Sequence, residues 1–133
     1  MQSKAVLSQI EVSSILAAAR VEAQKNHWAV AIAIVDDGGH PLALERLDGC
    51  APISAYIATE KARSSALGRR ETKGYEDMIN GGRSAFLSAP MLTALEGGVP
   101  LIVDGQVVGA VGVSGVKSDQ DAQVAKAGIA ALA

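Results

Sequence analysis

Cysteine, aromatic residues and long apolar runs are all scarce in this chain. Its 133 residues include one cysteine, Cys50, which has no partner for an intrachain disulfide and cannot alone build a zinc site. One Trp, one Phe and two Tyr leave little for base stacking or an aromatic cage. No uninterrupted apolar run of about 18 residues exists, so no membrane-spanning helix is expected. The opening MQSKAVLSQIE has no apolar signal core, and a cytoplasmic setting is the expectation. Charge of one sign is also missing: 12 basic residues face 14 acidic ones, for a net charge of -2. Nucleic-acid binders usually carry a basic excess or stripe, so no nucleic-acid partner is expected.

What is present is small and apolar. Hydrophobic residues make up 49% of the chain and charged residues 20%, too apolar a balance for disorder. Alanine and glycine supply much of that character. A chain of this size forms one domain, spanning 1–133, and buries roughly two-thirds of its unfolded surface without a staple. Such apolarity in a short chain predicts that copies cover one another in a homo-oligomer.

Ser8 and Glu11 fit a capping box ahead of Val12, Ile15, Leu16, Ala19 and Ala23 at helical spacing, predicting a helix over 9–25. Residues 29–36 then alternate small Ala29, Ala31 and Ala33 with large Val30, Ile32 and Ile34, the pattern of a strand covered on both faces. Asp36-Asp-Gly-Gly39 reads as a tight turn, and His40 to Leu47 as the returning strand, with Leu42 and Leu44 on one face. A second helix is predicted over 52–68. Ile53, Tyr56, Ile57, Ser64 and Leu67 form one stripe, and Ala55, Ala58, Ala62 and Ala66 another that permits close approach. A short helix follows over Thr72–Met78. The stretch from Gly81 to Gly98 is irregular, and loops of this length are often functional. Val99–Val103, Asp104-Gly105 and Gln106–Ser114 form a second hairpin, where Val107, Val111 and Val113 alternate with Val108, Ala110 and Gly112. Ser118 and Asp121 resemble the cap of a last helix. Two hairpins without strand–helix–strand alternation predict an α+β domain: an antiparallel sheet with helices on both faces, in α/β/α layers.

Few residue patterns point to chemistry. Gly109-Ala-Val-Gly-Val-Ser-Gly115 has the wrong glycine spacing for a dinucleotide loop and lies within a strand. Gly112 there permits close approach of a helix or of a ligand. His27 and His40 are the only histidines. Either is an ordinary polar residue beside a helix end or turn, or a ligand for haem iron through a neutral nitrogen. Cys50, Tyr75, Met78 and Met91 are the other candidate axial ligands. Arg63, Arg69, Arg70 and Arg83 cluster between the hairpins and could hold carboxylates bidentately, or pair with Glu60 and Glu71 as surface ion pairs. Gly97 and Gly98 offer backbone N–H groups to an anion, or simply turn the chain. No GxSxG or HExxH is present.

Val35-Asp-Asp-Gly-Gly-His40, Leu44-Glu-Arg-Leu-Asp-Gly49, Glu60-Lys-Ala-Arg63, Gly97-Gly-Val-Pro-Leu101 and Gly109-Ala-Val-Gly-Val-Ser-Gly115 together resemble the GlcG/HbpS family, which includes the carboxy-terminal domain of PduO-type proteins. The resemblance runs from about residue 10 to the end. It implies a sheet of about five antiparallel strands with helices on both sides, and dimers or larger rings. It also implies haem or a related tetrapyrrole as the small-molecule ligand. On that reading the ligand lies near Gly97, Gly98 and Gly112, Arg63 or Arg69 pairs the propionates, and His40 is the metal ligand. The alternative implied is a tautomerase- or hydrolase-type enzyme on unsaturated oxo- or hydroxy-dicarboxylates of aromatic ring cleavage. There Arg63, Arg69, Arg70 or Arg83 anchors carboxylates, and Glu60 or Glu71, or Tyr75, moves the proton.

Overall fold

A computed structural model describes residues 1–132. The elements run α1 (Gln9–Lys25), β1 (Ala31–Asp36), β2 (Pro41–Arg46), α2 (Ile53–Gly68), α3 (Thr72–Asn80), a 3-10 turn (Ser84–Ser88), β3 (Gly98–Val103), β4 (Gln106–Ser114) and α4 (Ser118–Ala130). The strands form one antiparallel sheet in the order β2-β1-β4-β3. It has four strands among the described residues. The fifth strand implied by the family resemblance is absent from 70–98, where the chain makes α3 and the 3-10 turn instead.

The register explains the layers. Ile32 pairs with Val113 and Ile34 with Val111, while Ala33 pairs with Gly112 and Val35 with Ala110. Directly opposed residues share a face. One face is therefore built of large side chains, and Val12, Ile15, Ala19 and Ala23 of α1 and Val124 and Ala125 of α4 pack on it. The other face is built of small ones, and α2 lies on it through Ala58, Ala62 and Ala66. A Cβ on Gly112 would stand 2.5 Å from the Ala62 amide nitrogen, so the helix backbone rests directly on the strand there.

Several local expectations need correction. Ser8 precedes α1, but its side chain makes no capping bond. Ser118 is the first residue of α4 rather than its cap, and the Lys117 N–H is met by Gln120 Oε1 at 3.3 Å. In β4 it is Val108, not Val107, that enters the large-residue core, because the β3–β4 register shifts between Leu101 and Ile102. The larger apolar stripe of α2 does not enter the chain's own core: Ile53, Tyr56 and Leu67 are exposed.

Candidate functional site

The β1–β2 turn carries the first group of candidate residues. Asp36 closes the turn by accepting the backbone N–H groups of Gly38 and His40 through Oδ1, each at 2.9 Å. The same carboxylate holds His40 Nδ1 at 3.0 Å. A carboxylate on one ring nitrogen fixes the orientation of a histidine and leaves Nε2 to coordinate a metal. The His40 side chain is exposed.

The turn rests on α2. A Cβ on Gly39, whose φ is +81°, would meet Arg63 Cγ at 2.8 Å, so the turn packs on the Arg63 stem. Arg63 Nη1 donates to Glu60 Oε1 at 2.7 Å. Arg69 stands just past the helix end in the left-handed conformation, with its backbone N–H on Ala66 O. Its Nη1 donates to the carbonyls of Asp37 at 2.5 Å and Ala66 at 2.9 Å. Lys4 pairs with the Asp37 carboxylate and is the main cause of its lowered pKa. The structure thus gathers His40, Glu60, Arg63 and Arg69 about one turn.

Beside them β2 offers apolar surface. Leu44 pairs with Ala33 and so shares the α2 face. As β2 is an edge strand, Leu44 is 52% exposed and Leu42 42%.

Arg70 and Arg83 belong elsewhere. The Arg70 guanidinium lies 4.7 Å from the Tyr75 ring centroid, and that of Arg83 lies 4.8 Å from the Phe86 centroid. The two rings are 5.9 Å apart and tilted by 42°. They wall a pocket of about 180 Å³ between α2, α3 and the 83–92 segment, with Leu67, Ala89, Pro90 and Leu92 among its other walls. Ser64, a buried residue of its wall, is engaged: Oγ donates to Met91 O at 3.3 Å and accepts the Thr93 N–H at 2.8 Å. The four arginines therefore form two pairs, not one anchor.

Gly98 and Gly112 touch α2 rather than open space. A Cβ on Gly98 would collide with the Lys61 carbonyl and stand 2.8 Å from Thr72 Cγ2. The Gly98 N–H is taken by Thr72 Oγ1 at 2.9 Å. Gly97, at φ +134°, lies against Val113 O and Lys61 Nζ. This crowding is the physical reason for glycine at these positions.

Two features were missed from sequence. Lys61 Nζ and Asp121 Oδ2 form an ion pair at 3.1 Å, and each side chain is only 3% exposed. Lys61 also donates to Val113 O at 2.9 Å, and Asp121 Oδ1 accepts the Val116 N–H at 3.2 Å. Burial pushes the Asp121 pKa up, against the pull of Lys61. The other is an open groove of about 500 Å³ lined by Arg20, His27, Trp28, Arg46, Leu47 and neighbours. Arg20 on its wall is bound to Glu45, with Nη2 to Oε2 at 2.8 Å. Cys50 is buried, its Sγ 3.9 Å from Ser114 O. Among the described residues no three His, Cys, Asp or Glu side chains gather to hold a metal ion, and no helix is long and apolar enough to cross a membrane.

One antiparallel sheet layered between α2 and the α1–α4 pair, with an oriented histidine beside an apolar edge, defines a layered α+β domain with one exposed candidate ligand-binding face. A family model described as "Haem degrading protein HbpS-like" matches residues 7–130, and the chain belongs to that family. It is 67% identical to Protein GlcG of Escherichia coli over 114 residues, which cover 86% of this chain and 85% of GlcG. Its structure is similar to a crystal structure of PduOC in complex with haem, at TM-score 0.86 and 27% identity over 96% of this chain and 95% of the other. It is also similar to a double mutant of Streptomyces reticuli HbpS, at TM-score 0.90 and 28% identity over 100% and 91% of the two chains.

Proposed function

We propose that this protein binds haem or a related tetrapyrrole on the face formed by β2 and α2, with His40 as axial ligand. The observation that carries this reading is the His40 ring held through Nδ1 by Asp36, at the end of an apolar edge strand and beside Arg63. Haem iron has four ring nitrogens of its own and needs only one or two protein ligands. A lone, oriented histidine therefore suits haem better than a bare metal ion. Leu42 and Leu44 offer apolar surface to the macrocycle, and the Arg63 guanidinium can leave Glu60 for a propionate. The 180 Å³ pocket is too small for a tetrapyrrole, since drug-sized ligands take roughly 300–1,000 Å³. When bound, haem would supply redox or oxygen chemistry; the protein's part is to seat and orient it.

A planar ligand on an open face keeps one side in water unless a second copy closes over it. A homo-oligomer built across this face therefore belongs to the same reading, as does a cytoplasmic setting.

The groove at His27 supports a second placement, because its volume of about 500 Å³ suits a tetrapyrrole and Arg46 lies on its wall. Haem titration followed at the Soret band separates the two. Saturation near one haem per chain, lost in His40→Ala and kept in His27→Ala, supports the β2–α2 face. Loss in His27→Ala alone moves the ligand to the groove, and an unchanged haem spectrum removes the function. The dicarboxylate-enzyme reading would use one of the two arginine pairs rather than all four guanidinium groups.

A further inference from the structure

We propose that the pocket between α2, α3 and the 83–92 segment binds a small flat monocarboxylate, a ring acid of the size of benzoate, separately from any tetrapyrrole. Three observations carry this. The first is size: an apolar cavity of about 150 Å³ holds benzene, and this pocket offers about 180 Å³. One ring fits with a small substituent left at the mouth.

The second is the character of the walls. Tyr75 and Phe86 present ring surface, Leu67 and Leu92 aliphatic surface, and the buried wall residue Ser64 has its hydroxyl committed to Met91 O and the Thr93 N–H. The wall thus favours an apolar ring and leaves the ligand's polar end to be met from the rim. The third is charge. Each wall ring carries an exposed guanidinium, Arg70 on Tyr75 and Arg83 on Phe86; neither arginine lines the pocket itself, so each would turn from its ring to reach a ligand there. Among the described residues neither guanidinium has a carboxylate within ion-pair distance, whereas Arg20 and Arg63 each have one. A guanidinium over a ring gives up little on turning to a carboxylate, because the charge-assisted bidentate bond is the stronger interaction. One ring and one carboxylate match one apolar pocket with cationic neighbours. A dicarboxylate would push its second charge against the apolar wall.

The test is a titration of the ¹⁵N-labelled full chain with sodium benzoate, using benzyl alcohol as the uncharged ring. Saturating shifts are expected at Leu67, Gly68, Tyr75, Phe86 and Ala89, with benzoate about tenfold tighter than benzyl alcohol, the scale of one charge-assisted bond. The double variant Arg70→Gln/Arg83→Gln, at two exposed positions, should keep ring binding and lose the preference for benzoate. Ala89→Leu should fill the pocket and abolish both. The proposal is overturned by an absence of saturating shifts at tens of millimolar benzoate. It is equally overturned by equal affinity for the two ligands, or by a preference that survives the double arginine variant. Because haem loading is read separately at the Soret band, either site can fail without the other.

Discussion

Lys61 shows how a single residue ties three elements together. From α2 its ammonium reaches Val113 O on β4 and Asp121 on α4, with Gly97 against its side. Taking both charges out of water is costly, and burial pushes Asp121 up in spite of its partner. Removing one partner strands the other charge, so Lys61→Met and Asp121→Ala are each expected to lose about 3–5 kcal/mol in urea unfolding. The double variant Lys61→Met/Asp121→Leu should recover much of that loss. Singles within about 0.5 kcal/mol of the wild type would show that the pair is solvated. Neither residue was legible as a core pair, because a charge in a helix usually marks its wet face. One signal did exist: Lys61 falls three residues after Ala58 and four before Ser65, on the small-residue stripe that α2 buries. Arg69 was misleading for a related reason. Its left-handed backbone ends α2, so neighbouring Arg69 and Arg70 turn to different partners.

At the scale of elements, the strand pattern was the most legible feature. Large and small residues alternating in 29–36 predicted two covered faces, and the small face is where α2 approaches closely. Gly112→Ala therefore drives a methyl into the α2 backbone and is expected to cost at least about 1–3 kcal/mol, checked by denaturant midpoint. A neutral result would mean that the helix can slide away. The Asp104-Gly105 hairpin was equally legible, and both residues adopt the positive φ such a turn demands, 52° and 76°. The helix from Thr72 was legible, but the fate of 81–98 was not, since the Tyr75–Phe86 ring contact and the bond from the Gly98 N–H to Thr72 Oγ1 tie that stretch to residues outside it. Between α1 and β2, the side-chain bond from Arg20 holds the Glu45 pKa below the ordinary carboxylate range. A depressed folded value means that the unfolded chain takes up protons first as pH falls. The pair thus stabilises the fold above the ordinary carboxylate value, and that contribution fades in acid. Because both side chains are about one-third exposed, the effect should stay within about 1 kcal/mol. Arg20→Gln should flatten this part of the stability profile, and an unchanged acid slope would show that the pair carries none of it.

For the whole molecule, the single chain leaves apolar surface that its own core does not absorb. Leu42 and Leu44 lie on an edge strand, and α2 adds Tyr56, which is 76% exposed, and Ile53. An unpaired edge with apolar side chains is a liability that proteins generally cover. The composition already pointed this way, since a short chain so rich in apolar residues has more than one core of this size can bury. A second copy is the occupant that needs no further gene product, and an edge strand and helix face repeated by a two-fold axis meet as the same patch on both sides. Sedimentation velocity is expected to show a species heavier than one chain. Leu44→Glu with Tyr56→Glu should return it to a single chain with unaltered circular dichroism, because both positions lie outside the core of the chain. The same variant should weaken haem uptake if the ligand is seated between copies. Haem uptake that persists unchanged in the dissociated variant would separate ligand binding from assembly, and a wild-type protein sedimenting as one chain would leave the β2–α2 face open in solution.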